Sequence, residues 1–157
     1  YIMLYTKTGG LEPTEECLMG KLRVLFQGDS ITDMGRDRGD IRNMGSGYPL
    51  FVASNFRAAR PNFDIDFFDL GISGDRVRDL RARWQSDCLD LRPDVLSVLI
   101  GINDTWRRYD SGDPSDTEEF ERVYTCPEQW APDGVHPSFD GAALIARYWL
   151  EAFDKIL

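Results

Sequence analysis

Two residues that could do nucleophilic chemistry stand far apart in this 157-residue chain. Ser30 follows the apolar run at residues 24–28, where a parallel strand would present it to a ligand. The only histidine, His136, lies in the segment Asp133-Gly134-Val135-His136-Pro137. A serine hydroxyl is a weak nucleophile near neutral pH and needs a base within hydrogen-bond reach. If Ser30 is a nucleophile with an imidazole base, that base is therefore His136.

The other roles of serine catalysis have candidates as well. Asp133, three residues before the histidine, would orient the imidazole and fix its tautomer. The backbone N–H groups of Ser30 and Gly74 and the side-chain amide of Asn103 would donate hydrogen bonds to the oxyanion that forms. The candidate catalytic residues are therefore Ser30, Asp133 and His136, and the candidate oxyanion hole is Ser30, Gly74 and Asn103.

Each of these features also has a purely structural interpretation. A serine between a strand and a helix is commonly a cap or a turn former, and a glycine such as Gly74 is commonly part of a tight turn. The Asp133-x-x-His136 turn could cap the last helix or hold a metal ion. Metal binding is the weaker alternative, because one histidine with no nearby thiol leaves only carboxylates as further ligands.

Three predicted strands would place the candidates at one edge of a sheet. The strands are the apolar run 24–28, the alternating segment 63–67 and the nearly continuous apolar run 95–100. Each ends in a turn that contains glycine, and these turns carry Ser30, Gly74 and Asn103. Alternation of strands and helices indicates an α/β fold with right-handed crossovers. The acidic face of the second strand is typical of a strand near a sheet edge.

Helices are predicted between and after these strands. Pro49 begins one helix and Pro61 ends it. The helix after Asp75 is expected to bury Val77, Leu80, Trp84 and Cys88. Residues 106–114 are expected to form a loop, followed by a short helix that runs through Phe120 and Tyr124. The last helix, capped by Ser138, is expected to pack through Ile145, Tyr148, Trp149, Ala152, Phe153 and Ile156.

Composition narrows the classes of partner and the cellular location. The net charge is -9, from 27 acidic and 18 basic residues, and it repels nucleic acid and anionic membrane surfaces. A small neutral substrate fits better. No apolar run approaches the roughly 20 residues of a membrane span, and the first residues lack a signal-peptide layout, so a cytoplasmic location is expected. The three cysteines, at wide spacings, predict neither a disulfide framework nor a zinc site.

The length suits one domain of ordinary size that can bury a substantial core. Residues 1–20 show no sustained periodicity, and we expect them to be an N-terminal appendage. Residues 21–157 then form a single domain.

Four blocks in order give the chain a specific resemblance. The blocks are Gly28-Asp29-Ser30, Gly71-x-x-Gly74, Gly101-x-Asn103-Asp104 and Asp133-x-x-His136. With them the chain resembles the SGNH (GDSL-type) hydrolase superfamily, and within it the bacterial acetyl xylan esterases and related carbohydrate acetylesterases. The resemblance implies a three-layer α/β/α flavodoxin-like fold and a serine esterase that forms an acyl-enzyme through the Ser30-His136-Asp133 triad. It implies no metal, no cofactor and an acetylated sugar or oligosaccharide as substrate.

The segment between the Asn block and the Asp-x-x-His block is shorter than in the family. Only residues 105–132 intervene, so one or two sheet strands are expected to be missing. The strand at 95–100 would then lack a neighbour, and an unpaired strand edge beside an apolar patch favours association. We therefore expect a homo-oligomer.

The residues and the resemblance leave three functional hypotheses open. The leading one is a serine esterase that removes acetyl groups from a sugar or a similar small ester. The second is a shortened homologue with weak or no catalysis that acts as a binding or interaction module. The third is another hydrolase of the superfamily, such as a thioesterase or a lysophospholipase.

Overall fold

The computed structural model describes residues 2–6, 21–111 and 135–157. For residues 2–6 and 108–111 it describes the backbone alone. Within these ranges, no helix combines the length and the apolar composition that crossing a bilayer requires. The predicted short helix through Phe120 and Tyr124 lies outside the described residues, as do Asp133, Cys17 and Cys126.

Four strands form one sheet. They are β1 (Ile2–Thr6), β2 (Leu22–Gly28), β3 (Ile65–Asp69) and β4 (Val95–Leu99), in the order β1-β4-β2-β3. β2 lies between β4 and β3 and is parallel to both, so the carboxyl ends of these three strands meet at one edge of the sheet. The parallel sheet and its flanking helices confirm the predicted α/β class.

The edge of β4 is paired, and here the prediction of an unpaired strand is wrong. β1 runs antiparallel to β4, with Ile2 opposite Leu99 and Thr6 opposite Val95. The run Ile-Met-Leu-Tyr-Thr is only five residues long, too short to show a period, yet its residue types suit a strand. Part of the segment expected to be an appendage therefore completes the sheet, while the division into domains stays a prediction.

β3 lies at the other edge of the sheet, as its acidic residues predict. The strand begins two residues later than the alternating pattern, at Ile65 rather than Phe63. Asp66 points to the basic side chains of Lys21, at 3.1 Å, and Arg42, at 3.6 Å. Charged groups of this kind protect an edge strand from pairing with another chain.

One face of the sheet is covered by two helices, α2 (Tyr48–Ala59) and a terminal helix that begins after Ser138. α2 begins at Tyr48, one residue before the predicted start at Pro49, and it ends before Pro61, as predicted. Ser138 caps the terminal helix by accepting a hydrogen bond from the Gly141 N–H at 3.1 Å. The side chains that this helix buries are Ala142, Ala146, Trp149 and Phe153, whereas Tyr148 and Ile156 are exposed, contrary to the prediction.

The opposite face is covered by α3 (Val77–Ala82) and a π-helical turn at Gln85–Leu89. Leu80 and Cys88 are buried there, as expected, but Val77 is exposed because it begins the helix beside a surface turn. The helix after β4 is α4 (Ile102–Ser111), where a loop was predicted from residue 106 onward. The terminal helix Phe139–Phe153 is called α5 below.

Candidate active site

Ser30 stands where β2 ends and α1 (Ser30–Asp33) begins. Asp29 caps this short helix, because its carboxylate accepts a hydrogen bond from the Ile31 N–H at 3.0 Å. Gly28 is required before it, since a Cβ there would overlap the backbone oxygen of Leu99. The strand, the glycine and the cap together hold Ser30 at the carboxyl edge of the sheet, nearly buried.

His136 reaches Ser30 from the far end of the chain. Its Nε2 lies 2.8 Å from the Ser30 Oγ, within hydrogen-bond distance. The turn that carries the histidine is anchored on both sides, because Val135 is buried in the main core and Ser138 caps α5. The structure thus brings together the two residues that the sequence identifies as nucleophile and base, with the geometry that proton transfer from hydroxyl to imidazole requires.

Asp133, the predicted third member of the triad, lies outside the described residues. Its role in orienting the imidazole therefore stays a prediction that follows from its three-residue spacing to His136.

Asp29 is an acidic group close to His136, and the sequence did not predict a role for it in the site. Burial raises the pKa of its carboxyl to about 6, although the hydrogen bond from the Ile31 N–H and the nearby His136 ring act against the rise. One of its carboxylate oxygens has no hydrogen-bond partner among the described residues. Its signal in the sequence is its position between Gly28 and Ser30, where a cap is expected.

The turn after β3 carries Gly74 and lies against the turn that carries Ser30. The Ile72 N–H donates to the Gly28 carbonyl at 3.0 Å, and the Ser73 N–H donates to the Asp33 carboxylate at 2.9 Å. Gly74 has a φ of 90° with open space where a side chain would be. Only glycine adopts that conformation without strain, which leaves the backbone of this turn accessible to a ligand.

Asp33 fixes this turn through its charge. Burial alone would raise its pKa, but hydrogen bonds from Arg38 and from the Ser73 N–H outweigh burial and hold the pKa below its ordinary value. The carboxylate is therefore the stable form, and it remains an acceptor for the Ser73 N–H across the neutral range.

Asn103 is the second residue of α4, the helix after β4, and it joins the third turn to the second. Its side-chain Nδ2 donates to the backbone carbonyl of Asp75 at 2.9 Å. The neighbouring Asp104 accepts a hydrogen bond from the Val77 N–H at 3.1 Å. An asparagine amide has two N–H bonds, so one can hold Asp75 while the other serves a ligand. The structure brings the three predicted turns together, and the roles of Gly74 and Asn103 as oxyanion donors stay predictions.

In the described part of the chain, no three His, Cys, Asp or Glu side chains lie together as metal ligands would.

Comparisons with known proteins agree with this arrangement. The model of the GDSL-like Lipase/Acylhydrolase family matches residues 26–125. An acetylxylan esterase from Geobacillus stearothermophilus is 47% identical over 137 residues, which are 85% of this chain and 63% of that protein. This chain thus spans less than two thirds of the length of that relative.

Solved structures show the same similarity. A catalytic mutant of the Geobacillus stearothermophilus acetylxylan esterase, with a histidine replaced, superposes with a TM-score of 0.70 at 26% identity, over 83% of this chain and 93% of that one. A putative GDSL-like lipase from Parabacteroides merdae superposes with a TM-score of 0.61 at 34% identity, over 85% of this chain and 75% of that one.

Proposed function

Because the chain belongs to the GDSL-like lipase/acylhydrolase family, we propose that it is a serine esterase that hydrolyses short-chain acyl esters, with acetyl groups on carbohydrate as the preferred substrate. The observation that carries the proposal is the 2.8 Å contact between the Ser30 Oγ and the His136 Nε2. A hydroxyl in contact with an imidazole, next to a turn with accessible backbone, is the minimum that acyl transfer by serine requires.

Acylation begins when the Ser30 Oγ attacks the carbonyl carbon of the ester while the His136 Nε2 accepts the hydroxyl proton. The carbonyl oxygen becomes an oxyanion, which the N–H groups of Ser30 and Gly74 and the amide of Asn103 would stabilise. The intermediate collapses as the bond to the alcohol oxygen breaks. His136 returns its proton to that oxygen, so the alcohol leaves neutral and the acyl group stays on Ser30.

Deacylation repeats these steps with water. The oxygen of a water molecule attacks the acyl carbon while His136 accepts a proton from that water. The bond between the acyl carbon and the Ser30 Oγ then breaks, and His136 returns the proton to the Oγ. The products are the carboxylic acid and the free serine. No cofactor takes part in either half-reaction.

Asp133 would complete the triad by accepting a hydrogen bond from the other ring nitrogen of His136. Catalytic mutants of the Geobacillus stearothermophilus esterase replace a serine, an aspartate and a histidine, and the last two are three positions apart. Asp133 and His136 have the same spacing. An aspartate in this position favours the imidazolium that forms when the serine loses its proton.

Carbohydrate as the carrier of the acyl group is inferred from the acetylxylan esterase and from this chain's charge. A net charge of -9 suits a neutral substrate better than an anionic one. Trp106 lies on α4 three residues after Asn103, and about half of its surface is exposed. Its indole could stack on a sugar ring. Tyr109 and Trp130 are two further aromatic residues that could stack on a sugar ring, and their side chains lie outside the described residues.

The decisive experiment measures turnover of p-nitrophenyl acetate by the purified chain and by Ser30→Ala. We expect activity in the first and its loss in the second, with Ser54→Ala, an exposed serine on α2, as the matched control. Wild-type turnover by Ser30→Ala would refute the proposal.

The same assay with longer acyl chains separates the other two hypotheses. Preference for long chains would favour a lipase-like or thioesterase-like hydrolase. A folded chain that turns over none of these esters would favour a binding module, the alternative that the short segment at residues 105–132 suggests.

A further inference from the structure

Arg83, the residue directly after α3, contacts two parts of the candidate active site: the end of β2 before Ser30 and the turn that carries Gly74. Its Nε donates to the Asp75 carboxylate at 2.9 Å, and its Nη1 donates to the Gln27 side-chain oxygen at 2.9 Å. Its Nη2 lies 3.5 Å from the Gly28 carbonyl. A further bond, from Nη1 to Asp87 at 3.1 Å, anchors the guanidinium to the π-helical turn.

These contacts join the nucleophile turn to the Gly74 turn. Gln27 and Gly28 are the last residues of β2, three and two positions before Ser30 respectively, whereas Asp75 follows Gly74 directly. A single planar group thus spans the two segments whose backbone N–H groups are the predicted oxyanion donors. The fixed fork of a guanidinium determines distance and angle together, which a flexible ammonium does not.

Asp75 extends the connection to the third turn. While its carboxylate binds Arg83, its backbone carbonyl accepts the hydrogen bond from Asn103 at 2.9 Å. One residue is therefore in contact with the predicted side-chain donor and, through Arg83, with the strand that carries the nucleophile. A shift of Asp75 would move Gly74 and Asn103 relative to Ser30.

The pair is well shielded from solvent. The side chains of Arg83 and Asp75 are 15% and 14% exposed, and Gln27 is fully buried. Gln27 also donates to the backbone carbonyl of Asp87 at 2.6 Å, so both ends of its amide are bonded. A network that is satisfied and shielded in this way is rigid, because each member that moves leaves a buried polar group without a partner.

We propose that Asp75 and Arg83 are positioning residues that hold the predicted oxyanion donors in register with Ser30. The inference rests on the proposed esterase function and assigns the geometry of its oxyanion hole to an ion pair outside the triad. Such a pair acts on the tetrahedral intermediate and the transition states that flank it, because the bound ester carries no oxyanion, so its loss lowers kcat and leaves KM nearly unchanged.

The test measures kcat and KM for p-nitrophenyl acetate in Asp75→Ala and Arg83→Lys. We expect kcat to fall by about 10- to 100-fold in each, since a misplacement on the order of 1 Å at a reacting centre costs about 100-fold. The double variant is expected to be no worse than the poorer single one, because residues that act as a unit are not additive. Asp75→Asn, which keeps an acceptor for Arg83, is expected to lose less than Asp75→Ala.

A second readout separates positioning from a loss of stability. Alkylboronic acids form a tetrahedral adduct on an active serine and so resemble the transition state. The inhibition constant is expected to rise in Asp75→Ala by the same factor as kcat/KM falls. Asp154→Asn is the matched control, because it removes the carboxylate of another Asp–Arg pair at 2.9 Å, with Arg60, which is outside the Arg83 network. We expect its kcat to stay within about twofold of wild type.

The outcomes are distinguishable. Wild-type kcat and inhibition constant in both Asp75→Ala and Asp75→Asn, while Ser30→Ala is inactive, would overturn this inference alone. Turnover by Ser30→Ala at the wild-type rate would overturn the proposed function and this inference with it. If Asp75→Ala does not fold, Asp75→Asn decides, and an equal loss of kcat in Asp154→Asn would overturn the inference, because it would show that the loss of an ion pair outside the network has the same effect.

Discussion

Ser30 and His136 are 106 positions apart in the chain, and their contact depends on turns that are each fixed by neighbouring residues. Asp29 caps the turn that carries the serine, and Ser138 caps the helix that follows the histidine. Neither cap takes part in the proposed chemistry. Both set the direction in which a reacting side chain points, and a site on such fixed elements needs little reorganisation during the reaction.

Asp69 is a buried carboxyl at the end of β3, just before the turn that carries Gly74. Burial raises its pKa to about 7, against the opposing effects of the Gly71 N–H and the Arg36 guanidinium. One carboxylate oxygen has no partner among the described residues, and the Arg36 Nε lies 3.8 Å from the other. The folded protein therefore holds this proton more tightly than the unfolded chain does.

Stability is accordingly expected to depend on pH. Between about pH 4 and pH 7 the folded state binds more protons than the unfolded state, so the free energy of unfolding falls as the pH rises through this window. Asp69→Asn should reduce the change in the free energy of unfolding with pH. Part of that change should remain, because the pKa of Asp29 is raised as well. Urea unfolding at several pH values measures the free energy of unfolding, and Asp37→Asn, at an exposed position, is the control. An unchanged slope in Asp69→Asn would contradict the assignment.

Among the elements, α5 joins the histidine turn to the core. Phe153 is fully buried, with its ring 5.6 Å from that of Phe56 and 4.8 Å from that of Trp149. Trp149 in turn lies 5.5 Å from Phe26 on β2. These contacts hold α5 against α2 and the sheet, and so they hold the turn that carries His136 at the carboxyl edge.

Replacing one buried aromatic ring of α5 should therefore be costly. Phe153→Ala is expected to lower the free energy of unfolding by about 3 to 5 kcal/mol, since it removes a large buried ring and leaves a cavity. Tyr148→Ala, on the exposed face of the same helix, should change it by less than about 0.5 kcal/mol. Denaturant titration of the two variants measures both values. Equal losses would mean that the buried face of α5 is assigned incorrectly.

On the scale of the whole molecule, β1 decides how the sheet ends. Ile2–Thr6 pairs with β4 along its length. The prediction of a homo-oligomer was based on an unpaired β4, and that basis does not hold. Self-association stays a prediction. Its place would now be the outer edge of β1 rather than β4, because β1 and β3 are the end strands of the described sheet.

Removal of residues 1–6 should expose β4 and its apolar residues. We expect the shortened chain to associate or precipitate at micromolar concentration, because an unpaired edge beside an apolar surface pairs readily with another chain. Light scattering of the full and the shortened chain at equal concentration measures the effect. A shortened chain that stays monomeric with an unchanged melting temperature would show that β1 contributes nothing to the sheet.

The sequence by itself determined the α/β class, the three parallel strands, the order of the motif turns and the identity of Ser30 and His136 as candidate nucleophile and base. Local signals suffice for these, because an apolar run that ends at a glycine specifies a strand end, and a single histidine leaves no other imidazole. The start of α2 within one residue of Pro49 and the cap at Ser138 follow from the same kind of local rule.

The tertiary structure alone decided which segments pair and which polar groups are buried. β1 was missed because five residues are too few to show a period, and its partner residues on β4 lie 89 to 97 positions further along the chain. The Asp75–Arg83 pair and the buried Asp69 were missed because burial is a property of the assembled elements. From the sequence alone, an arginine or an aspartate is expected to be a solvated surface residue. Only the packing of β2, β3, α3 and the motif turns shields these three side chains from solvent.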